Sequence, residues 1–198
     1  MDQRKIALVK GDGSGPEMMK VACRIAIEAA KLDDIEIIFE ETPMGWSAYH
    51  QFGDTLPPES LKRAIEIGTI FFGGVGDFGN DSTIGKEKPE MKPEARCLLR
   101  LRKEMGLLLN FRPMIYYKPL AHLANVKPGT IPDNGVEQHW IRFLLEDSYF
   151  GTHDLIASST VPGLSLKKDV RGNEQLVSEI AYYQRETVEK YFRAAFKY

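Results

Sequence analysis

The sequence is poor in the features that fix a function on their own. It holds two cysteines, Cys23 and Cys97. Two thiols can build neither a disulfide framework nor a zinc cage, and both are expected to sit reduced inside helices, as in a cytosolic protein. No apolar run approaches the roughly 20 residues that span a bilayer. The opening Met-Asp-Gln-Arg-Lys runs into a strand-like segment without the pattern of a signal peptide. The expectation is a cytoplasmic chain with no membrane partner. Charge of one sign is not in excess either. The net charge is -2, which gives no reason to expect nucleic acid. His50, His122, His139 and His153 show no ligand spacing and no helical His-x-x-x-His. Internal repeats and low-complexity segments are missing. What remains is a globular mix, 43% hydrophobic and 27% charged over 198 residues, enough for one large domain or two small ones.

The pattern of apolar residues supplies an outline. Ile6 to Val9 is a short apolar run that predicts a strand buried on both faces. A helix follows from Pro16 to about Lys31, with Met19, Val21, Ala22, Ile25 and Ala29 inward. Asp34 to Phe39 is a second strand. This β-loop-α-β opening predicts a sheet with helices packed on it. Tyr49 to Pro58 reads as loop, Glu59 to Ile67 as a short helix, Gly68 to Phe72 as another buried strand, and Asn80 to Pro93 as a mobile loop. Farther on, a short strand is expected around His122 to Val126 and a buried one over His139 to Leu145. Leu164 to Val170 and Leu176 to Tyr183 read as a hairpin turning at Arg171-Gly-Asn173, although Glu174 to Tyr183 also suits a helix. Gln184 to Tyr198 is an amphipathic helix with Val188, Tyr191, Phe192, Ala195 and Phe196 on one face.

Leu98 to Pro113 carries the first chemical signal. Ala95, Leu98, Leu99, Arg102 and Met105 form one helical stripe, so an arginine shares a core face. Leu107 to Phe111 reads as a buried strand ending at Arg112-Pro113. Arg142 interrupts another apolar strand. A guanidinium keeps its charge and is costly to bury without an anion. In open α/β sheets ligands gather at the carboxyl ends of strands, and three arginines there would suit a di- or tricarboxylate held by bidentate hydrogen bonds. The alternative is internal pairing with carboxylates such as Glu146 and Asp147. Tyr149 is a candidate proton donor or substrate hydrogen bond; a buried structural tyrosine is the more usual outcome. Arg96, Arg100 and Lys103 form a basic stripe expected to be solvated surface. Gly11, Gly13 and Gly15 lie between a strand and a helix, where phosphates are often cradled. The spacing matches neither the Walker nor the Rossmann fingerprint, and Glu17 would repel a phosphate, so a tight turn is the better reading.

Taken in order, these residues resemble the isocitrate, isopropylmalate and tartrate dehydrogenases, the β-decarboxylating family. Gly11-Asp-Gly-Ser-Gly-Pro-Glu17 is similar to their opening Gly-Asp-Gly-Ile-Gly-Pro-Glu. Leu56-Pro57 and Phe72-Gly-Gly-Val-Gly-Asp77 resemble the next landmark. Leu99 to Pro113 is similar to Leu-x-Leu-Arg-Lys…Asn-Leu-Arg-Pro, and Arg142 through Tyr149 to Gly151 aligns with Arg-Glu-Asn-Thr-Glu-Gly-x-Tyr-x-Gly.

The resemblance implies an isopropylmalate-dehydrogenase-like α/β fold, a mixed sheet flanked by helices. Residues 1–100 would belong to the large domain. Residues 101–198 would form an incomplete small domain with a dimer arm over 152–183. It implies that Arg102, Arg112 and Arg142 bind substrate carboxylates and that Tyr149 assists proton transfer. Gly73, Gly74, Val75 and Gly76 would approach the cofactor. The activity implied is oxidation and decarboxylation of a 2-hydroxy dicarboxylic acid with NAD or NADP and Mg or Mn, in a homodimer or with a complementing chain.

Three departures stand out. Phe143-Leu144 replaces Glu-Asn after Arg142. Arg96 and Leu98 replace the serine and asparagine of isocitrate dehydrogenases, which argues against isocitrate. The family's catalytic lysine and metal-binding aspartates have no counterpart up to Tyr198, so the 198 residues are not expected to be competent alone. A fragment, one chain of a split enzyme and a non-catalytic carboxylate-binding or partner subunit all remain open.

Overall fold

The computed structural model describes residues 2–123, 125, 127, 129–132, 135–146, 152–157, 175–180 and 183–198, and the chain divides between Gly106 and Leu107 into two units.

The first unit is built on three parallel strands in the order β2-β1-β3, with β1 at Asp2–Val9, β2 at Ile35–Glu41 and β3 at Ile70–Phe72. Parallel neighbours need a crossover, and helix α1 (Gly15–Lys31) supplies it between β1 and β2. Only the carboxyl end of β1 is buried, at Ala7, Leu8 and Val9. There Val9 joins Met44, Leu56, Leu61, Ala64, Cys97 and Leu101 in one apolar cluster. Helix α3 (Pro58–Ile67) contributes Leu61 and Ala64. On α1 only Gly15 and Met19 are buried. Val21, Ile25 and Ala29, expected inward, are exposed. The helix carries two apolar faces, and the one bearing Met19 is the one set against Gly73.

Two segments expected to be loop are helical. Helix α2 occupies Trp46–Phe52, and α4 (Phe78–Ser82), α5 (Ile84–Glu87) and a 3-10 turn (Pro89–Met91) fill the supposed mobile loop. Helix α2 is too short to persist on its own propensity. Its start is held by Asp12, 34 residues earlier: Trp46 N–H donates to Asp12 Oδ2 and Ser47 N–H to Asp12 Oδ1, both at 2.8 Å. Gly76 N–H donates to Asp12 Oδ2 at 2.8 Å as well. One carboxylate thus ties the β1 exit to α2 and to the β3 exit. The approach needs glycine: Gly11 has φ +79, and a side chain there would run into the Gly74 carbonyl.

The arginine helix also differs from its expected form. Glu94–Leu99 is π-helical and leads directly into α6 (Arg100–Glu104). The wider i→i+5 turn moves the buried line to Cys97 and Leu101. Ala95 is exposed, Leu98 and Leu99 are half-buried, and Arg102 is half-buried beside Leu101. Burial pushes the Cys97 thiol up to about 12, so it is a packing residue and not a nucleophile.

In the second unit β4 (Leu109–Ile115) pairs antiparallel with β5 (Glu137–Phe143), Arg112 facing Trp140 and Asn110 facing Arg142. The strand does not stop at Pro113. Tyr116 N–H donates to Val136 O and Leu144 N–H to Leu108 O. The even-numbered positions of β4 are therefore the hydrogen-bonded ones, and Pro113 sits where no N–H is required. Both strands, expected to be buried, are largely exposed, as suits a two-stranded ribbon. Their odd-numbered face meets the C-terminal segment. Tyr191 Oη, on the last helix, donates to Ile141 O at 2.7 Å, Phe143 lies 5.1 Å from the Tyr191 ring, and Phe111 lies 4.5 Å from Tyr198. A 3-10 helix at Lys118–Leu123 stands where a strand was expected at His122. Strands β6 (Thr152–Ala157) and β7 (Gln175–Ile180) pair antiparallel. The expected first strand of the arm, 164–170, and its turn lie outside the described residues. The last helix, α7, spans Arg185–Ala195, within the stretch expected to be helical.

Removing the Asp12 carboxylate strands three backbone donors. Asp12→Ala is expected to lower the stability of the first unit by about 2–4 kcal/mol, since hydrogen bonds to a charged acceptor contribute roughly 1.5–3 each and do not add fully. The shift of the urea unfolding midpoint measures it.

Candidate functional site

The glycine-rich turn after β1 is already occupied by the protein itself. Asp12 N–H donates to Gly74 O at 3.1 Å, Gly15 N–H to Asp12 O at 2.8 Å, and the Asp12 side chain takes the three donors above. The tight-turn reading of Gly11 to Gly15 holds.

The loop packed on that turn opens a cleft. Gly74, Val75 and Gly76, three of the four residues assigned to the cofactor by resemblance, line a space of about 550 Å³ together with Leu98, Lys92 and Asp81. Gly73 lies against Lys10 O and Met19, and a side chain there would overlap both. Its role is close packing. Asp81 is held by the Trp46 indole, whose Nε1–H donates to Oδ1 at 2.9 Å. Asp77 caps α4 by accepting from Asn80 N–H at 3.0 Å, and its carboxyl is held below the usual range chiefly by the Asn80 side chain. The sequence reading missed Lys92 and Asp81. They come from a stretch taken as loop, and no periodicity marks short helices of this kind.

Arg96 is not solvated surface. The π-helical turn brings it to Asp54 in a two-pronged ion pair, Nε to Oδ1 at 2.6 Å and Nη2 to Oδ2 at 2.5 Å. Asp54 Oδ1 also accepts Leu56 N–H at 2.9 Å. The pair pins the arginine helix to the turn before α3. Hydrogen bonds from Arg96 hold the Asp54 carboxyl below its ordinary range, against the opposing effect of burial.

Of the three arginines expected to bind an anion, the ladder brings two together. Arg112 and Arg142 lie on the even-numbered face of β4–β5, diagonal across the pairing, and both are exposed. Diagonal neighbours have Cα atoms roughly 7–8 Å apart, within reach of two long guanidinium side chains converging on one ligand. Among the described residues Arg112 and Arg102 have no ion-pair partner; Glu146, one of the carboxylates expected as internal partners, accepts Gln184 N–H at 2.8 Å, and Asp147, the other, lies outside the described residues. Arg102 belongs to the other unit. Tyr149 lies outside the described residues. Among the described residues no group of three or more His, Cys, Asp or Glu could hold a metal ion, and no helix is long and apolar enough to cross a membrane.

A three-stranded parallel α/β unit followed by antiparallel ribbons and a helix defines the class, and comparison with known proteins narrows it. Residues 5–198 match the model of the isocitrate/isopropylmalate dehydrogenase family. The 3-isopropylmalate dehydrogenase of Thiobacillus denitrificans is 38% identical over 147 residues, covering 74% of this chain and 39% of that protein. That of Synechococcus sp. (strain JA-3-3Ab) is 32% identical over 193 residues, covering 98% of this chain and 46% of the relative. The crystal structure of isocitrate dehydrogenase from Methylococcus capsulatus superposes with a TM-score of 0.67 at 22% identity, over 98% of this chain and 47% of that one. The chain belongs to the isocitrate/isopropylmalate dehydrogenase family. It spans less than half the length of these relatives. The family uses NAD(P) and a divalent metal, and its members are dimers that bind hydroxy acids.

The Asp54–Arg96 pair has a pH signature. The unfolded chain binds a proton on Asp54 near pH 4, the folded chain only at lower pH. The stabilisation is therefore complete above about pH 5 and is lost as pH falls through the folded value. Asp54→Asn is expected to lose about 1–3 kcal/mol at pH 7, and the gap to the parent should narrow as pH falls below the ordinary carboxylate range. Urea midpoints measured from pH 7 downward check it.

Proposed function

We propose that these residues are the substrate-holding portion of an NAD(P)-dependent oxidative decarboxylase acting on a 2-hydroxy dicarboxylic acid of the isopropylmalate or tartrate kind. The observation that carries the reading is the pair Arg112 and Arg142 on one open face of β4–β5. Two guanidiniums there can grip carboxylates with paired N–H donors and fix the orientation of the acid. By the resemblance Arg102 would share that task and Tyr149 would take part in proton transfer. Gly74, Val75 and Gly76 line the cleft at the β3 exit, where the resemblance assigns the cofactor together with Gly73, which packs against Lys10 O and Met19. When bound, NAD or NADP supplies the hydride acceptor and Mg or Mn a Lewis acid at the hydroxyl oxygen. The described residues do not fit a metal, so its ligands are left unassigned and no step is routed through it. The arm over 152–183 is assigned to pairing with a second copy or a complementing chain.

One observation favours a second reading, a carboxylate-binding subunit or paralogue without catalysis. Phe143 and Leu144 stand where the resemblance has Glu-Asn, and Phe143 packs on Tyr191, which leaves two fewer polar groups after Arg142.

Calorimetric titration with malate and 3-isopropylmalate should give a saturable signal that Arg112→Ala weakens tenfold or more, in line with the strength of a charge-assisted pair. No heat with either acid, or an unchanged titration in the variant, would sink both readings. Turnover with NAD and Mg separates the first from the second. A light-scattering mass equal to twice the chain supports the arm as a dimer contact, and a strict monomer at high concentration counts against it.

A further inference from the structure

The face that carries the arginines also carries an exposed tryptophan. Trp140 lies directly opposite Arg112 and two residues before Arg142 on the same strand, and alternation puts all three on one side of the ribbon. The paired rows run Asn110 with Arg142, Arg112 with Trp140, and Met114 with Gln138. One end pairs an amide with a cation, the middle is half cation and half indole, and the far end sets a thioether beside the Gln138 amide.

The geometry leaves that indole available. Trp140 is 60% exposed and Met114 58%. The indole N–H has one long bond, 3.4 Å to Gln138 Oε1. The apolar neighbours of Trp140 along β5, Ile141 and Phe143, are half-buried, with the Phe143 ring against Tyr191. Past Met114 and Gln138 the face continues into a groove of about 690 Å³ that includes Tyr116, Ile131 and Val136. From the Arg112 row to the Met114 row is two residues, roughly 7 Å, about the length of a phenyl ring and one methylene.

We infer that Trp140 is the specificity-determining residue of the Arg112–Arg142 site, and that the acid bound there carries an aryl side group laid on the indole. The inference rests on the carboxylate-binding reading above. Carboxylate on the guanidiniums fixes the head of the ligand, and its substituent then falls on Trp140 and Met114. An aryl group gains there by offset stacking and by removing apolar surface from water. A hydroxyl or a further carboxylate would lose water against indole and thioether, where the facing donors are the indole N–H, shared with Gln138, and the Arg112 side chain already engaged by the head of the acid.

The test is calorimetry on the full chain with three probes: malate, tartrate and 3-benzylmalate. The benzyl acid is expected to bind at least tenfold more tightly than malate, and tartrate no more tightly than malate. Trp140→Ala should bring the benzyl acid to within twofold of malate while leaving malate within twofold of its parent value. Trp140→Phe should keep most of the preference. Arg112→Ala should weaken all three acids together. Because the indole is at the surface, the thermal midpoint of Trp140→Ala should match the parent, and affinities are compared on that footing. No advantage for the benzyl acid, or equal losses for malate and the benzyl acid in Trp140→Ala, overturns this inference and leaves the carboxylate reading standing. No binding of any acid overturns both.

Discussion

The first unit depends on a single carboxylate with three backbone donors. Asp12 accepts N–H groups from Trp46, Ser47 and Gly76, so the exits of β1 and β3 and the start of α2 are held at one point. None of the three segments has a strong local reason for its conformation. Helix α2 is seven residues long, and the two loops are largely glycine. Burial adds the rest: Met44 and Trp46, just beside the Asp12 bonds, are almost fully buried, and Trp46 reaches on to Asp81 at the rim of the cleft. The cleft therefore takes its shape from a contact made on its far wall. Glycine at 11 and 73 is part of the same arrangement, because each lies too close to a neighbouring carbonyl to carry a side chain.

Arginine plays two opposite parts within a short span. Arg96 is paid for by Asp54 in a two-pronged pair and acts as a fastener. Arg112, in the other unit, stands on an exposed ribbon with no ion-pair partner among the described residues. The residue type and the apolar context look alike in the sequence. The difference lies in whether the fold supplies a carboxylate, and for Arg96 the partner is 42 residues away. The π-helical turn decides that outcome, since it turns Arg96 inward and gives the core to Cys97 and Leu101 in place of Ala95.

Local signals were read well where the structure is locally determined. Strands β1 and β3 and helices α1, α3 and α7 follow from apolar runs and periodicity, although α1 buries Gly15 and Met19 and not the face that carries Val21, Ile25 and Ala29. Tyr49 to Pro58 and Asn80 to Pro93 read as loop in the sequence for different reasons: α2 has its first N–H groups met by Asp12, far away in the chain, and α4 and α5, of five and four residues, are too short for periodicity to mark them. The burial of β4 and β5 was overestimated: an apolar run says that a strand is stable when covered, and a two-stranded ribbon covers only one side. The arginine residues were legible as a type. Their placement on one face required the register of two strands separated by 21 residues, 116–136, which no single segment encodes. The same register exposes Trp140, which composition alone would have assigned to a core.

Pro113 fits the outward-facing slot of β4, the position that makes no bond to β5. A two-stranded sheet has open edges, and an open edge is a template on which any extended chain can add a strand. On β4 that outer row is interrupted near its middle by a residue with no N–H to offer. The edge beside Arg112 thereby offers an added strand one N–H fewer. The ribbon can leave its even-numbered face bare to small ligands while remaining a poor seed for aggregation along that border.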